Sequence, residues 1–110
     1  SPMREFLFVD DMAKAVVYAL ENKLPEYVYN IGSGKDLTIK ALAQTIQRVT
    51  GHTGEIVWDA TMPDGTPRKL MDVSKMKKVG WSYTTDLEDG IKQTYDWFLQ
   101  NKQDLKEVKF

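Results

Sequence analysis

The chain has 110 residues, 42% of them hydrophobic and 28% charged, with a formal net charge of -1 and no cysteine. That length holds one domain and buries roughly 65% of the unfolded surface. The composition excludes disulfides, zinc thiolates and a thiol nucleophile, and the near-neutral balance supplies no basic field for nucleic acid or anionic membrane.

No apolar run approaches the ~18 residues of a membrane span, and the N-terminus lacks a basic-then-apolar signal pattern. The chain opens on Ser1-Pro2-Met3-Arg4-Glu5 and reaches apolar Phe6 with no leading element. That opening reads as a piece of a longer protein.

Phe6-Leu7-Phe8-Val9 reads as a short buried strand. Asp10 and Asp11 follow, and both suit the positive end of a helix, as caps rather than as a metal or general-base pair. The spacing of Met12, Ala15, Val16, Ala19 and Leu20 predicts a helix from about Met12 to Asn22, with those residues on one face. After Pro25, Tyr27, Val28, Tyr29 and Ile31 read as a second strand.

Gly32-Ser33-Gly34 ends that strand, Lys35 and Asp36 continue the loop, and Thr38 reads as an N-cap. A second helix is predicted from about Ile39 to Thr50, with Ile39, Leu42, Ala43, Ile46 and Val49 on one face. Ala41 stands where a capping box wants Glu or Gln, so the cap is half made. Gly51 stops the helix. Glu55 to Asp59 reads as a third strand and Leu70 to Val73 as a further short apolar run. Ser74 caps a short helix to Val79, stopped by Gly80. Asp86 caps a last helix from about Leu87 to Gln100, with Leu87, Ile91, Tyr95 and Phe98 inward. The tail from Asn101 is charged and reads as frayed.

Between the third strand and the Leu70 run lies Pro63-Asp64-Gly65-Thr66-Pro67-Arg68-Lys69. Asp64-Gly65 is a turn dipeptide and the two prolines fix φ on either side, so the loop is stiff. Two adjacent cations on such a loop suit a phosphate, Arg68 as a planar fork and Lys69 as a point charge. On local pattern alone, a solvated surface turn fits better than a phosphate site.

Gly32-Ser33-Gly34-Lys35 lacks the requirements of a phosphate loop. Tyr29 stands where the first Gly belongs and Asp36 follows the Lys. The dinucleotide fingerprint also fails, its third Gly falling at Leu37. His52 has no nearby partner in sequence, and Trp58, Trp81 and Trp97 suit the core or its edge. The residues four after Tyr18, Tyr27, Tyr29, Tyr83 and Tyr95 are Asn22, Ile31, Ser33, Leu87 and Leu99, so no Tyr-x-x-x-Lys acid/base pair is present.

Three stretches together carry a resemblance. Pro2-Met3-Arg4-Glu5-Phe6-Leu7-Phe8-Val9-Asp10-Asp11-Met12-Ala13 resembles the segment that opens the C-terminal part of extended short-chain dehydrogenase/reductases acting on nucleotide sugars. Tyr29-Asn30-Ile31-Gly32-Ser33-Gly34 with Leu37-Thr38-Ile39 resembles the strand-turn-helix that follows there. Pro63 to Ser74, followed by Gly80-Trp81, is similar to the GDP-L-fucose synthase family. Ala41 departs from that family's usual acidic residue and touches only the cap.

The resemblance implies an α/β (α+β) fold for residues 1–110: a small, three-layer-like, single C-terminal substrate-binding domain of short strands with three to four helices. It implies a GDP-sugar partner, with Arg4, Asp64 and Lys69 as substrate contacts and Arg68 adjacent to them. It places the NADP site and the Ser-Tyr-Lys catalytic group in an N-terminal Rossmann part outside this chain. No catalytic, cofactor-binding or metal residue is therefore expected here, and an apolar face that docks on that part is expected to be uncovered. The intact enzyme is expected to be a cytoplasmic homodimer acting on neither nucleic acid nor membrane. Another nucleotide-sugar epimerase or reductase, or a stand-alone binding module, is the alternative.

Overall fold

Residues Met3–Glu5 form a strand, β1, that pairs antiparallel with β2, Asp36–Thr38. The register sets Met3 opposite Thr38, Arg4 opposite Leu37 and Glu5 opposite Asp36. A single parallel bridge joins Met3 to Arg68, and the Met3 amide donates to the Pro67 carbonyl at 2.8 Å. The Pro63–Lys69 loop thereby lies along the free edge of β1. The computed structural model that shows this describes residues 1–105.

Among the described residues there are four helices: α1 Val9–Glu21, α2 Ile39–Thr50, α3 Ser74–Lys78 and α4 Leu87–Asn101. The α/β class and the helix count agree with the sequence expectation. Helix α2 matches the predicted bounds. Its Thr38 side chain accepts from the Ala41 amide at 3.0 Å, and Gly51 closes it in the left-handed conformation at φ 71°. Both signals are local, so both are legible in the sequence.

The predicted strands are corrected. Phe6 to Phe8 form no ladder, and Val9 already belongs to α1. Tyr27–Ile31, Glu55–Asp59 and Leu70–Val73 also lack ladder pairing. A strand is completed by a neighbour at pairing distance, and these segments have none among the described residues. Asp36, assigned to a loop, is instead in β2, because β1 offers it a partner.

Helix α1 starts three residues before its predicted start, with Phe8 as N-cap and no side-chain cap bond. Asp10 and Asp11 thus stand in its first turn and are not caps. Asp86 does hold the N-cap position of α4, again without a side-chain bond. The last helix ends at Asn101; of the tail expected to fray, residues 106–110 lie outside the described residues.

The core is small. Ala15, Met76 and Trp81 form its centre, with Tyr18, Leu24, Tyr29, Ile31, Val79 and Tyr83 packed around them. The Tyr18 hydroxyl donates to the Val79 carbonyl and ties α1 to the end of α3. Only Asp11 and Ala15 of α1 are buried. The apolar face predicted for this helix is largely open, with Met12, Val16 and Leu20 at 41%, 50% and 82% exposure. Phe98, expected inward on α4, is also exposed.

Candidate functional site

The site is organised by β1. In an extended strand, successive side chains alternate faces, so Arg4 points opposite to Met3 and Glu5. The Arg4 guanidinium donates to the Thr66 carbonyl at 2.6 Å and to its neighbour's carbonyl, Met3, at 2.7 Å. It packs so closely on the loop that a Cβ at Gly65 would stand 2.9 Å from Arg4 Nη2. Two stretches 62 positions apart therefore form one surface.

Glu5, on the other face, fastens that surface to the rest of the fold. Its carboxylate accepts from the Gly34 amide at 2.6 Å, the Met71 amide at 3.0 Å and the Ser33 hydroxyl at 3.5 Å. Sequence reasoning quoted Glu5 within its motif but gave it no role. The only signal was its place beside Arg4.

The four sequence-predicted residues do not all face one way. Arg4 and the Asp64–Thr66 segment are brought together, but the turn expected at Asp64-Gly65 is not formed: residues 63–66 are neither turn nor bend, and Gly65 has no positive φ. Arg68 is diverted: its Nε donates to Asp36 Oδ2 at 2.6 Å and its Nη2 to Oδ1 at 3.3 Å. This fork is a clip between the loop and β2, and its guanidinium is already neutralised. Lys69 is exposed and makes no ion pair among the described residues. Asp64 is exposed and lines an open cleft of about 450 Å³ with Pro2, Ile39, Trp58, Asp59 and Met62 among its walls.

Cations on and beside this loop suit an anion. Arg4 is held in place by backbone carbonyls, which leaves its charge unpaired by any carboxylate among the described residues. Asp59, the other carboxylate of the cleft, is taken up locally. The Thr61 hydroxyl and amide donate to it at 2.5 and 3.0 Å and hold its pKa below the usual range.

Among the described residues Asp11 is the one fully buried carboxylate, at 1% exposure. Burial alone would raise its pKa. The Thr85 and Thr84 amides, the Thr84 hydroxyl and Lys14 outweigh that and lower it. Its bonds to Thr84 and Thr85, at 3.0 to 3.2 Å, fix α1 to the segment entering α4. It is a structural tether, and its partners, 73 and 74 positions away, have no local signal in the sequence.

The Gly32–Lys35 turn does not fit a cofactor diphosphate. The Gly34 amide is occupied by the Glu5 carboxylate, and a Cβ at Gly32 would stand 2.5 Å from Glu5 Oε2. The chain's own anion fills the place a phosphate would take. Lys35 lies over the Tyr83 ring, 5.6 Å from its centroid. Among the described residues no three His, Cys, Asp or Glu side chains cluster to hold a metal, and no helix is long and apolar enough to cross a membrane.

Comparison with known proteins is consistent with this geometry. The NAD dependent epimerase/dehydratase family matches residues 1–32. GDP-L-fucose synthase 1 of Arabidopsis thaliana is 52% identical over 101 residues, covering 92% of this chain and 31% of the relative. A GDP-L-fucose synthetase from Naegleria fowleri, solved with NADP bound, superposes with a TM-score of 0.89 at 28% identity, covering 96% of this chain and 34% of that one. A GDP-6-OMe-4-keto-L-xylo-heptose reductase from C. jejuni gives a TM-score of 0.82 at 34% identity, covering 92% and 32%. The resemblance read from the three sequence stretches is thus borne out along nearly the whole chain. The chain spans about a third of the length of the relatives it matches.

Proposed function

We propose that this chain is the nucleotide-sugar-binding portion of an NADP-dependent GDP-L-fucose synthase. The whole enzyme epimerises GDP-4-keto-6-deoxymannose at C3 and C5 and then reduces C4 with a hydride from NADPH. The observation that carries the reading is the seat of Arg4 on the Gly65–Thr66 segment. It joins the two stretches most like that family into one cationic surface.

On this reading Arg4 and Lys69 neutralise the diphosphate, and Asp64 accepts bonds from donors of the base or sugar. Arg68 acts indirectly, by pinning the loop to Asp36. NADPH supplies the hydride from outside this chain, since the one glycine turn that resembles a phosphate cradle is filled by Glu5. The residues here bind and orient, and the acid/base group belongs to another part of the enzyme. The absence of cysteine accords with the cytoplasmic location the reading assigns. A homodimeric whole enzyme is part of the same proposal.

Titration of the chain with GDP, followed by NMR, tests it. Amide shifts are expected at Arg4, Asp64 and Lys69, with no turnover of the keto sugar and NADPH by the chain alone. Shifts scattered away from those residues, or turnover above buffer, would refute the assignment. A second reading, a GDP-heptose reductase, is favoured by the likeness to the C. jejuni enzyme. It shares the GDP end of the site and differs in the sugar, so competition between the two keto sugars for the whole enzyme separates them.

A further inference from the structure

We infer that Asp36 and Glu5 are positioning residues for Lys69. These two carboxylates, on one face of the β1–β2 ribbon, fix the chain on both flanks of that lysine, so that its ammonium joins Arg4 on the opposite face. This rests on the nucleotide-sugar reading above and extends it to residues that prepare the site without touching the ligand.

The faces follow from the register. Residues directly opposite in a ladder share a face, and successive residues along a strand alternate. The Glu5–Asp36 pair and the Met3–Arg68 bridge therefore set Glu5, Asp36 and Arg68 on one side. Arg68 agrees with this, since its guanidinium reaches Asp36 at 2.6 and 3.3 Å. Arg4 lies on the other side, and Lys69, one residue past the bridge, falls with it.

The side away from the ligand works as a latch. Asp36 holds residue 68 through the guanidinium fork, and Glu5 holds residue 71 by accepting from the Met71 amide at 3.0 Å. Lys69 and Leu70 are the two residues between these anchors. The Asp36 side chain is 7% exposed and that of Arg68 is 60% exposed. The acceptor is thus set within the ribbon, and the loop is what it holds.

Lys69 needs this latch and Arg4 does not. Arg4 is seated by its own bonds to the Met3 and Thr66 carbonyls. Lys69 makes no ion pair among the described residues, and its ammonium rides on a flexible four-carbon stem. Only its backbone can place it. A second cation at a preset position favours a ligand with two phosphoryl groups over a ligand with one, because less freedom is lost on binding.

Calorimetric titration of the chain with GDP and with GMP tests the inference, using Asp36→Asn, Glu5→Gln and Arg68→Gln, alone and each combined with Lys69→Ala. Each latch variant is expected to weaken GDP about three- to tenfold, the ordering cost of one long side chain, and GMP about twofold or less. Asp36→Asn removes a negative charge and Arg68→Gln a positive one. A plain change of field would move GDP affinity in opposite directions, whereas loss of the latch lowers it in both. In the Lys69→Ala background the same substitutions should cost GDP nothing further. Arg68→Gln alters an exposed side chain and keeps the test standing if a carboxylate variant fails to fold. Equal losses for GDP and GMP, or losses that persist without Lys69, overturn the inference. Unchanged GDP affinity in the latch variants, with Lys69→Ala still weakening it, overturns it and leaves the nucleotide-sugar reading standing. No GDP binding by the unmodified chain overturns both.

Discussion

Residue by residue, the carboxylates divide the labour. Glu5 accepts from three segments at once, so its loss leaves the Gly34 and Met71 amides without their partner. Glu5→Ala should cost about 2–3 kcal/mol in urea unfolding, and Glu5→Gln less. The same variant should loosen the Arg4 surface, since β1 carries both. Asp11 makes the pH prediction. Its native pKa lies below the ordinary 3.8, so its contribution is present in full above that value. It is lost as pH falls through the lower native pKa. Asp11→Asn turns one oxygen into a donor facing an amide. It should destabilise by about 2 kcal/mol at neutral pH, with the gap from wild type closing as the solution is acidified. A gap that stays constant down to acid unfolding would count against the carboxylate's role. Neither tether was legible in the sequence, because the partners of Glu5 and Asp11 lie 28 to 74 positions away.

At the level of elements, the helices show how far local rules reach. Helix α2 has a side-chain cap at one end and a left-handed glycine at the other, 13 positions apart. Thr38→Ala should cost about 1 kcal/mol through the lost bond to the Ala41 amide. Nothing lies within 4 Å of a Cβ placed on Gly51, so Gly51→Ala should cost about 1 kcal/mol by conformation alone. The two sites share no partner, and the double variant should show the sum within about 0.5 kcal/mol. A marked departure from additivity would mean that the helix frays as a unit. The strands behave otherwise. Phe6–Val9 has the composition of a strand, yet Met3–Glu5, with two charges in three residues, forms the ladder. Composition states what a strand tolerates, and the neighbouring chain decides whether one exists.

As a whole, the molecule is open for its length. The Cα radius of gyration is 16.6 Å, against about 13 Å for a compact domain of this size. The buried hydrophobic core comprises Ala15, Val73, Met76 and Trp81. Meanwhile α1 turns Val9, Met12, Val16, Val17 and Leu20 to solvent. The chain alone should therefore self-associate in sedimentation equilibrium, and Val16→Lys with Leu20→Lys should reduce that without lowering the unfolding midpoint. A monomer at every concentration would sink the prediction. The sequence by itself determined the bounds of α2 and the stretches that carry the likeness to nucleotide-sugar enzymes. Those features depend on bonds between residues three or four apart and on the φ preferences of Gly. Only the tertiary structure decided which extended segments pair, that Arg4 lies on the Gly65–Thr66 segment, that Arg68 serves Asp36, and that Trp58 lines the Asp64 cleft. Those depend on contacts between residues remote in the chain, whose register no local preference encodes.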